Sequence, residues 1–351
     1  MTIPVFDGHN DFLLRMSAHP QRDKLWLEGD GKGQLDLPRM RAGGFVGGFF
    51  AIYIPSPRAD MPALDMDAML TSPSYTMPLP PPLELDYAQA IAVQQAGHLL
   101  AMERLAPGDF SIIRSTTDLH AALSAGRIAG IMHMEGAEAI DTDLDALYAF
   151  HAMGLRSLGP VWSRPTAFGH GVPFAYPSTP DTGPGLTDAG KRLVKACNDL
   201  KIMLDLSHLN EAGFNDVAAL SNAPLVATHS NAHAVTPSAR NLTDRQLGMI
   251  RDSGGMVGLN YATAFLGTGS RAGVGWEQML RHLDHLISVL GEDHIGLGSD
   301  FDGAQVPDVL SDVAGMPAFF DQMRQHGYDA ALIEKISHKN WLGLLERTWG
   351  A

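Results

Sequence analysis

Eight apolar stretches of strand length recur along the chain, and segments with the hydrophobic period of a helix separate most of them. The predicted strands are residues 5–11, 44–55, 127–135, 155–162, 201–208, 223–230, 254–260 and 294–300. The predicted helices are residues 87–106, 145–154, 186–200, 211–221, 243–252 and 276–290. Alternation of this kind joins parallel strands through helical crossovers. Eight such units predict an α/β fold, a single (β/α)8 TIM-type barrel domain spanning residues 1–351.

The connections are less regular than the strands. Residues 12–44 are predicted to be irregular, with glycine-rich interruptions. Residues 55–84, rich in proline and methionine, and residues 163–186 form two long loops. The loop at 55–84 is interpreted as a lid on the substrate side, with disorder as the alternative. Residues 301–351 are predicted to supply a closing helix that packs against the barrel.

Polar side chains cluster where the predicted strands end. The first strand ends in His9 and Asp11, which point to the same face because they are two residues apart. Other strands end in Glu135, His208, His229 and Asp300. Because barrel enzymes place their chemistry at the carboxyl ends of the strands, these six groups are expected at one mouth. Imidazole and carboxylate groups are good ligands for zinc-like divalent ions.

Six groups are more than one tetrahedral zinc site needs, and they suit two metal ions that share a bridging carboxylate. His9 and Asp11 would complete one site and His208 and His229 the other, with Glu135 as the bridge. Asp300 would then be free to take the proton of the attacking water and return it to a leaving amine. The alternative for each group is a satisfied buried polar residue.

Composition narrows the function further. The 351 residues are 45% hydrophobic and 18% charged, as is usual for a globular protein, and the net charge of -14 argues against nucleic acid and anionic membranes as partners. A single cysteine, Cys197, excludes an intramolecular disulfide and a cysteine-rich zinc site. Neither a signal peptide nor a membrane-spanning run is visible, so a cytoplasmic location is expected.

Five segments in order resemble the zinc-dependent membrane (renal) dipeptidase family, which has many soluble bacterial relatives. They are DGHND, HMEGAEAID, GLTDAGKRLVKACNDLKIMLDLSH, THSNAHAVTPSARN and HIGLGSDFDG. The resemblance implies an amidohydrolase-like barrel with two zinc ions held by His9, Asp11, Glu135, His208 and His229. It also implies Glu135 as the bridge, Asp300 as the acid/base, and Arg240 as the residue that binds the substrate carboxylate.

The sequence departs from the family pattern after the fourth strand. The family usually has a histidine there, which polarises the scissile carbonyl or holds the tetrahedral intermediate, whereas Trp162 stands at that position here. Trp162 is expected to shrink the pocket. The missing donor is predicted to come from His170, whose glycine neighbours let the backbone bend, or from Arg164.

The sequence thus predicts a zinc metallodipeptidase that hydrolyses small dipeptides, with L-Xaa-D-Xaa substrates as a hypothesis from the resemblance and a homodimer as a possible assembly. One alternative is an amidohydrolase that acts on N-acyl amino acids or on another small amide or lactone. An alternative of another class is a non-catalytic barrel that binds metal or peptide.

Overall fold

Eleven strands are present in the computed structural model, which describes residues 2–57, 66–268 and 273–350. In chain order they are β1 (Val5–Asn10), β2 (Phe45–Tyr53), β3 (Tyr75–Thr76), β4 (Phe110–Ile112), β5 (Ile128–Glu135), β6 (Leu155–Gly159), β7 (Ala175–Tyr176), β8 (Met203–Leu204), β9 (Val226–Ala227), β10 (Met256–Leu259) and β11 (Ile295–Leu297). Eight of them coincide with the eight predicted strands; β3, β4 and β7 were not predicted.

Helices fill the connections between these strands. In chain order they are α1 (Phe12–Ala18), α2 (Arg22–Glu28), α3 (Leu37–Gly43), α4 (Met66–Thr71), α5 (Leu85–Leu105), α6 (Thr116–Ser124), α7 (Asp145–Met153), α8 (Asp188–Asp199), α9 (Glu211–Leu220), α10 (Asp244–Asp252), α11 (Thr263–Leu266), α12 (Trp276–Leu290), α13 (Met316–His326), α14 (Ala330–Glu334) and α15 (Asn340–Trp349). Within the described residues, no helix is both long and apolar enough to cross a membrane.

The eight principal strands form a parallel barrel in the order β8-β6-β5-β2-β1-β11-β10-β9. The two ends of this order meet at a parallel bridge between Asp205 and Val226, where the Leu206 N–H donates to the Val226 carbonyl at 2.7 Å. The predicted (β/α)8 barrel is therefore confirmed. The additional strand β4 pairs in parallel with the first half of β5.

The prediction that residues 12–44 are irregular is wrong, because they form α1, α2 and α3. Each of these helices has only seven residues, which is too short for a hydrophobic period to stand out. Helix α3 begins at Asp36, whose side chain accepts a hydrogen bond from the Arg39 N–H. Leu25 and Trp26 of α2 are fully buried in the core.

The two long loops meet each other. Strand β3 of the first loop pairs antiparallel with β7 of the second, and the Tyr75 and Tyr176 rings stack with centroids 6.1 Å apart. The Tyr75 hydroxyl donates to the carbonyl of Ala264 in α11 at 3.3 Å. The predicted lid is thus partly ordered as α4 and β3, while residues 58–65 of that prediction lie outside the described residues.

The C-terminal helix α15 closes the barrel interior on the side opposite the carboxyl ends of the strands. This is the closing helix that the sequence predicts. Trp341 is fully buried, its indole N–H donates to the Leu297 carbonyl at 2.9 Å, and its ring lies 5.3 Å from that of Phe49. The neighbouring strand β1 must carry glycine at position 8, since a Cβ there would lie 2.5 Å from Trp341 Cζ2 and 2.4 Å from the Thr228 carbonyl oxygen.

Trp341→Ala is expected to lower the free energy of unfolding by about 3–5 kcal/mol, because it leaves a large cavity inside the barrel. Chemical denaturation with matched m-values measures the change. Tyr148→Ala is the control, since Tyr148 on α7 is 53% exposed and its loss should change stability by less than about 0.5 kcal/mol. Equal stability of the two variants would contradict the role given to Trp341.

Candidate active site

All six polar residues predicted at strand ends gather at one mouth of the barrel. His9 lies in β1 and Asp11 directly follows that strand, while Glu135 is the last residue of β5. His208, His229 and Asp300 stand a few residues beyond β8, β9 and β11. Parallel strands bring their carboxyl ends to the same side, so residues far apart in sequence meet there.

The carboxylate of Glu135 is the centre of this cluster. Its Oε2 lies 3.6 Å from His9 Nε2, and its Oε1 lies 3.0 Å from His208 Nε2 and 3.4 Å from His229 Nε2. His9 Nε2 is also 3.3 Å from Asp11 Oδ2. One oxygen of Glu135 therefore faces the residues of β1, and the other faces the two histidines beyond β8 and β9.

Two groups with the geometry to hold a metal ion share Glu135: His9 with Asp11, and His208 with His229. Within each group the potential ligand atoms lie within 4.8 Å of one another, and all five residues are buried. These are the two groups that the sequence predicted. A third group, which the sequence did not predict, combines His9 and His229 with Asp205.

The protonation states of the cluster are set by burial and by mutual charge. Burial lowers the pKa of His208 and of His229 well below the usual value, so both rings are neutral and offer lone pairs. Burial alone would also lower the pKa of His9, but the carboxylates of Glu135, Asp11 and Asp300 outweigh it and raise that pKa to about 10. A cation is therefore electrostatically favoured beside His9.

Burial likewise favours the neutral forms of the carboxyl groups. It raises the pKa of Glu135 well above its usual value and raises that of Asp300, while the positive charge of His9 opposes both shifts. The Asp300 carboxylate Oδ2 accepts a hydrogen bond from the Asn260 amide at 3.0 Å. Asn260, which follows β10, is a site residue that the sequence analysis does not identify.

The backbone is unusual at two of these residues. His208 and Asp300 adopt φ angles of 66° and 60°, the left-handed region that L-residues seldom occupy. Gly303 lies against the second of them, and a Cβ there would sit 2.0 Å from Asp11 Oδ2. The surrounding packing thus holds the strand ends in conformations that cost free energy, which is common at functional sites.

A buried relay orients His229. The Thr228 hydroxyl donates to Asp205 Oδ2 at 2.5 Å, and the Thr228 hydroxyl oxygen itself lies 2.8 Å from His229 Nδ1. A hydroxyl has a single proton, so Thr228 must accept the second hydrogen bond from an N–H on Nδ1. His229 Nε2 then carries the lone pair and faces Glu135 Oε1 at 3.4 Å and His208 Nε2 at 3.0 Å. Asp205 also accepts from the backbone N–H groups of Ser207 and Thr228.

A cavity of about 630 Å³ opens over the cluster. Asp11, Glu135, His208 and Asp300 line its floor. Part of the lining, here called the aromatic wall, is formed by Tyr53, Tyr75, Trp162, Phe174 and Phe265, and another part is polar, with Arg15, Gln34, Asp302 and Gln305. A space of this size suits a small molecule rather than a folded partner.

The three residues predicted to bind substrate, Trp162, Arg240 and His170, lie in different surroundings. Trp162 lines the cavity, with its ring centroid 5.9 Å from that of His208. Arg240 is buried and does not itself line the cavity, although Phe265, whose ring centre lies 5.1 Å from its guanidinium carbon, does. It donates to the His229 carbonyl at 3.1 Å. His170 is half-buried and is not among the residues that line the cavity.

Arg164 is also absent from the cavity lining. It is fully buried, donates to the Ile54 carbonyl at 2.9 Å and to Ser56 Oγ at 2.8 Å, and lies 3.4 Å from the Glu138 carboxylate. The structure thus gives no support to the prediction that His170 or Arg164 supplies the missing donor.

The comparison with known proteins agrees with the geometry of the site. The model of the membrane dipeptidase family, peptidase family M19, matches residues 1–349. The chain belongs to this family. The class predicted from sequence, a metallodipeptidase, is therefore confirmed. An uncharacterized protein in the pqqA 5′ region of Klebsiella pneumoniae is 45% identical over 258 residues, which are 73% of this chain and 95% of that protein.

Two solved structures are similar over the whole fold. A metallo peptidase from Rhodobacter sphaeroides, liganded with a phosphinate mimic of the dipeptide L-Ala-D-Ala, is 64% identical with a TM-score of 0.96, and the match covers 99% of this chain and 100% of that one. The dipeptidase AC, an M19 metallo peptidase, is 63% identical with a TM-score of 0.96, and the match covers all of both chains.

Thr228→Val is expected to free the Nδ1 proton of His229, so that its ring no longer has one fixed tautomer. Nitrogen-15 shifts of the histidine rings report the tautomer, and titration with zinc against a chromophoric chelator should show affinity lower by about 10–100-fold. Thr228→Ser keeps the hydroxyl and is the matched control. An unchanged tautomer and affinity in the valine variant would disprove the relay.

Proposed function

We propose that this metallodipeptidase hydrolyses dipeptides, L-Xaa-D-Xaa among them, with two zinc ions held by the two residue groups that share Glu135. One group is His9, Asp11 and Glu135, and the other is Glu135, His208 and His229. The observation that carries the proposal is the Glu135 carboxylate, with one oxygen 3.6 Å from His9 Nε2 and the other 3.0 Å from His208 Nε2.

The residues fit such ions on a second ground. His9 Nε2, which faces the carboxylates of Asp11 and Glu135 at 3.3 and 3.6 Å, is buried and makes no hydrogen bond among the described residues. A buried polar atom without a partner costs about 1–3 kcal/mol, which a bound cation would offset. The donor set of imidazoles and carboxylates is the one that zinc prefers. When bound, the two ions would polarise the scissile carbonyl and lower the pKa of water toward neutrality.

Asp300 is proposed as the proton carrier. It lines the cavity floor beside Asp11 and Glu135, and the Asn260 amide fixes one of its oxygens. Its other oxygen can take a proton from the attacking water and later return it to the nitrogen of the leaving amine. Such a shuttle needs a carboxylate that is oriented but still open to the substrate.

Arg240 is proposed to bind the substrate carboxylate by a charge-assisted contact. Its guanidinium is held by the His229 carbonyl and by Phe265, which lines the cavity, and its Nε has no partner among the described residues. Trp162 is proposed to narrow the pocket from the aromatic wall. A dipeptide with its one free carboxylate is a small molecule, which suits a cavity of about 630 Å³. A phosphinate mimic of L-Ala-D-Ala occupies the Rhodobacter sphaeroides relative, which supports the same substrate class.

A substrate panel tests the function directly. Zinc-loaded protein is expected to release amino acids from L-Xaa-L-Xaa and L-Xaa-D-Xaa dipeptides, as measured by chromatography of the free amines. N-Acyl amino acids and lactones serve as the competing classes. Faster turnover of either class than of every dipeptide would overturn the proposal.

Elemental analysis is expected to find about two zinc ions per chain, because five ligands form two groups with a shared bridge. Glu135→Gln should weaken both sites together, whereas His208→Ala should mainly empty one. Glu277→Gln, at an exposed position, is the control. One tightly bound ion that does not change on adding zinc would rule out the two-ion arrangement.

Asp300→Asn is expected to retain the fold and the bound metal while turnover falls by about 10²–10⁴-fold, the usual effect of losing general acid–base catalysis. Asp321→Asn, at an exposed residue, is the control. Normal turnover in the Asp300 variant would remove this residue from the mechanism, and loss of metal would make it a ligand instead.

A further inference from the structure

Tyr53 lies beside the Glu135 cluster and has no role in the function proposed above. It is the last residue of β2, and its Cα is paired in register with Glu135 of β5. Its backbone is fixed by Gln95, which accepts from the Tyr53 N–H at 2.9 Å and donates to the Tyr53 carbonyl at 2.7 Å. The side chain lines the cavity together with Glu135 and His208.

The ring of Tyr53 is held in place while its hydroxyl is uncommitted. Trp162 packs against the ring, with centroids 5.1 Å apart and planes at 66°. The guanidinium carbon of Arg164 lies 5.0 Å from the centre of the Trp162 ring and packs against it. Throughout the described ranges the Tyr53 hydroxyl has no hydrogen-bond partner. Burial raises the pKa of Tyr53 well above its usual value, so the hydroxyl remains a donor.

Several other donors along the cavity are already engaged, although the Thr263 hydroxyl, which also lines it, has no hydrogen-bond partner among the described residues. Arg15 donates to the Leu35 carbonyl and contacts the carboxylates of Asp302 and Asp30. The Tyr75 hydroxyl donates to the Ala264 carbonyl. The Gln34 amide donates to the Ala304 carbonyl at 3.3 Å. The indole N–H of Trp162 is the rival beside His208, and a matched variant separates it from Tyr53.

We propose that the Tyr53 hydroxyl donates a hydrogen bond to the amide oxygen on which negative charge develops during hydrolysis. The proposal rests on the dipeptidase function given above. The attacking water oxygen forms a bond to the carbonyl carbon, and the C=O π electrons move onto the oxygen that Tyr53 contacts. The C–N bond then breaks as those electrons return, and the amine nitrogen takes the proton that Asp300 had accepted. Tyr53 keeps its own proton throughout.

The position of Trp162 explains why such a donor is needed from another strand. A tryptophan at the end of β6 cannot accept or shuttle charge as an imidazole does, and its ring is packed between Tyr53 and Phe174. Tyr53, packed in this way, lines the same cavity as Glu135. The aromatic wall thus serves both to limit the space and to carry one polar atom.

Tyr53→Phe tests the role, because it removes the hydroxyl and retains the ring packing. In the zinc-loaded enzyme we expect kcat to fall by about 10²–10³-fold with little change in KM. The inhibition constant of a phosphinate L-Ala-D-Ala mimic should rise by a similar factor, since such a compound resembles the transition state. Zinc content should be unchanged. Tyr148→Phe, on the exposed face of α7, is the matched control.

Each other outcome is decisive. Wild-type kcat and phosphinate affinity in Tyr53→Phe would overturn the proposal, and so would loss of zinc or of fold, which would assign Tyr53 a structural role. If Trp162→Phe instead lowers kcat and phosphinate affinity while Tyr53→Phe does not, the indole is the donor. Failure of the wild-type enzyme to cleave any dipeptide would refute the proposed function itself, independently of Tyr53.

Discussion

A buried carboxylate shared by three histidines is the constraint on which the rest of the structure depends. Glu135 is buried at the end of β5, where an isolated charge would cost several kcal/mol. His9, His208 and His229 approach it from β1 and from beyond β8 and β9. Closure of the barrel brings those strand ends to one point, so the site depends on that closure.

One of the shortest strand pairings of the barrel lies next to that site. Strands β8 and β9 have two residues each and meet at a single bridge, at Asp205 and Val226. The Asp205 carboxylate replaces part of the missing ladder, because it accepts hydrogen bonds from the Thr228 N–H and hydroxyl. Asp205 therefore links β8 to β9 and also, through Thr228, orients His229. Regular pairing of β8 with β9 thus ends close to the residues of the site.

The walls of the cavity come from segments that belong to different strands. Tyr53 ends β2, Trp162 follows β6, and Phe265 lies in α11 after β10. The pairing of β3 with β7 ties the two long loops together beside these rings. The cavity is thus bounded by contacts between loops rather than by any one segment. Its small volume is consistent with the family's dipeptide substrates.

The sequence alone determined the architecture and the candidate cluster. Strand-length apolar runs that alternate with helical periods permit few arrangements other than a parallel barrel, and the polar residues that end those runs must then share one mouth. His9, Asp11, Glu135, His208, His229 and Asp300 were found by that logic, without any knowledge of distances. Burial of each strand on both faces makes this signal strong.

Tertiary structure decided everything that depends on contacts between distant segments. Helices α1 to α3 are too short to show a period, and their form comes from packing against the barrel. No pattern in the sequence places His170 outside the cavity lining while Tyr53 lies on it, because the loop around His170 is fixed by bridges from His170 to Pro165 and from Gly171 to Leu209. Asp205 could not be recognised either, since its partners lie 23 residues away across the closure of the barrel. Periodicity reports which way a strand faces, whereas the orientation of a side chain within the site is set by neighbours that only the folded chain brings together.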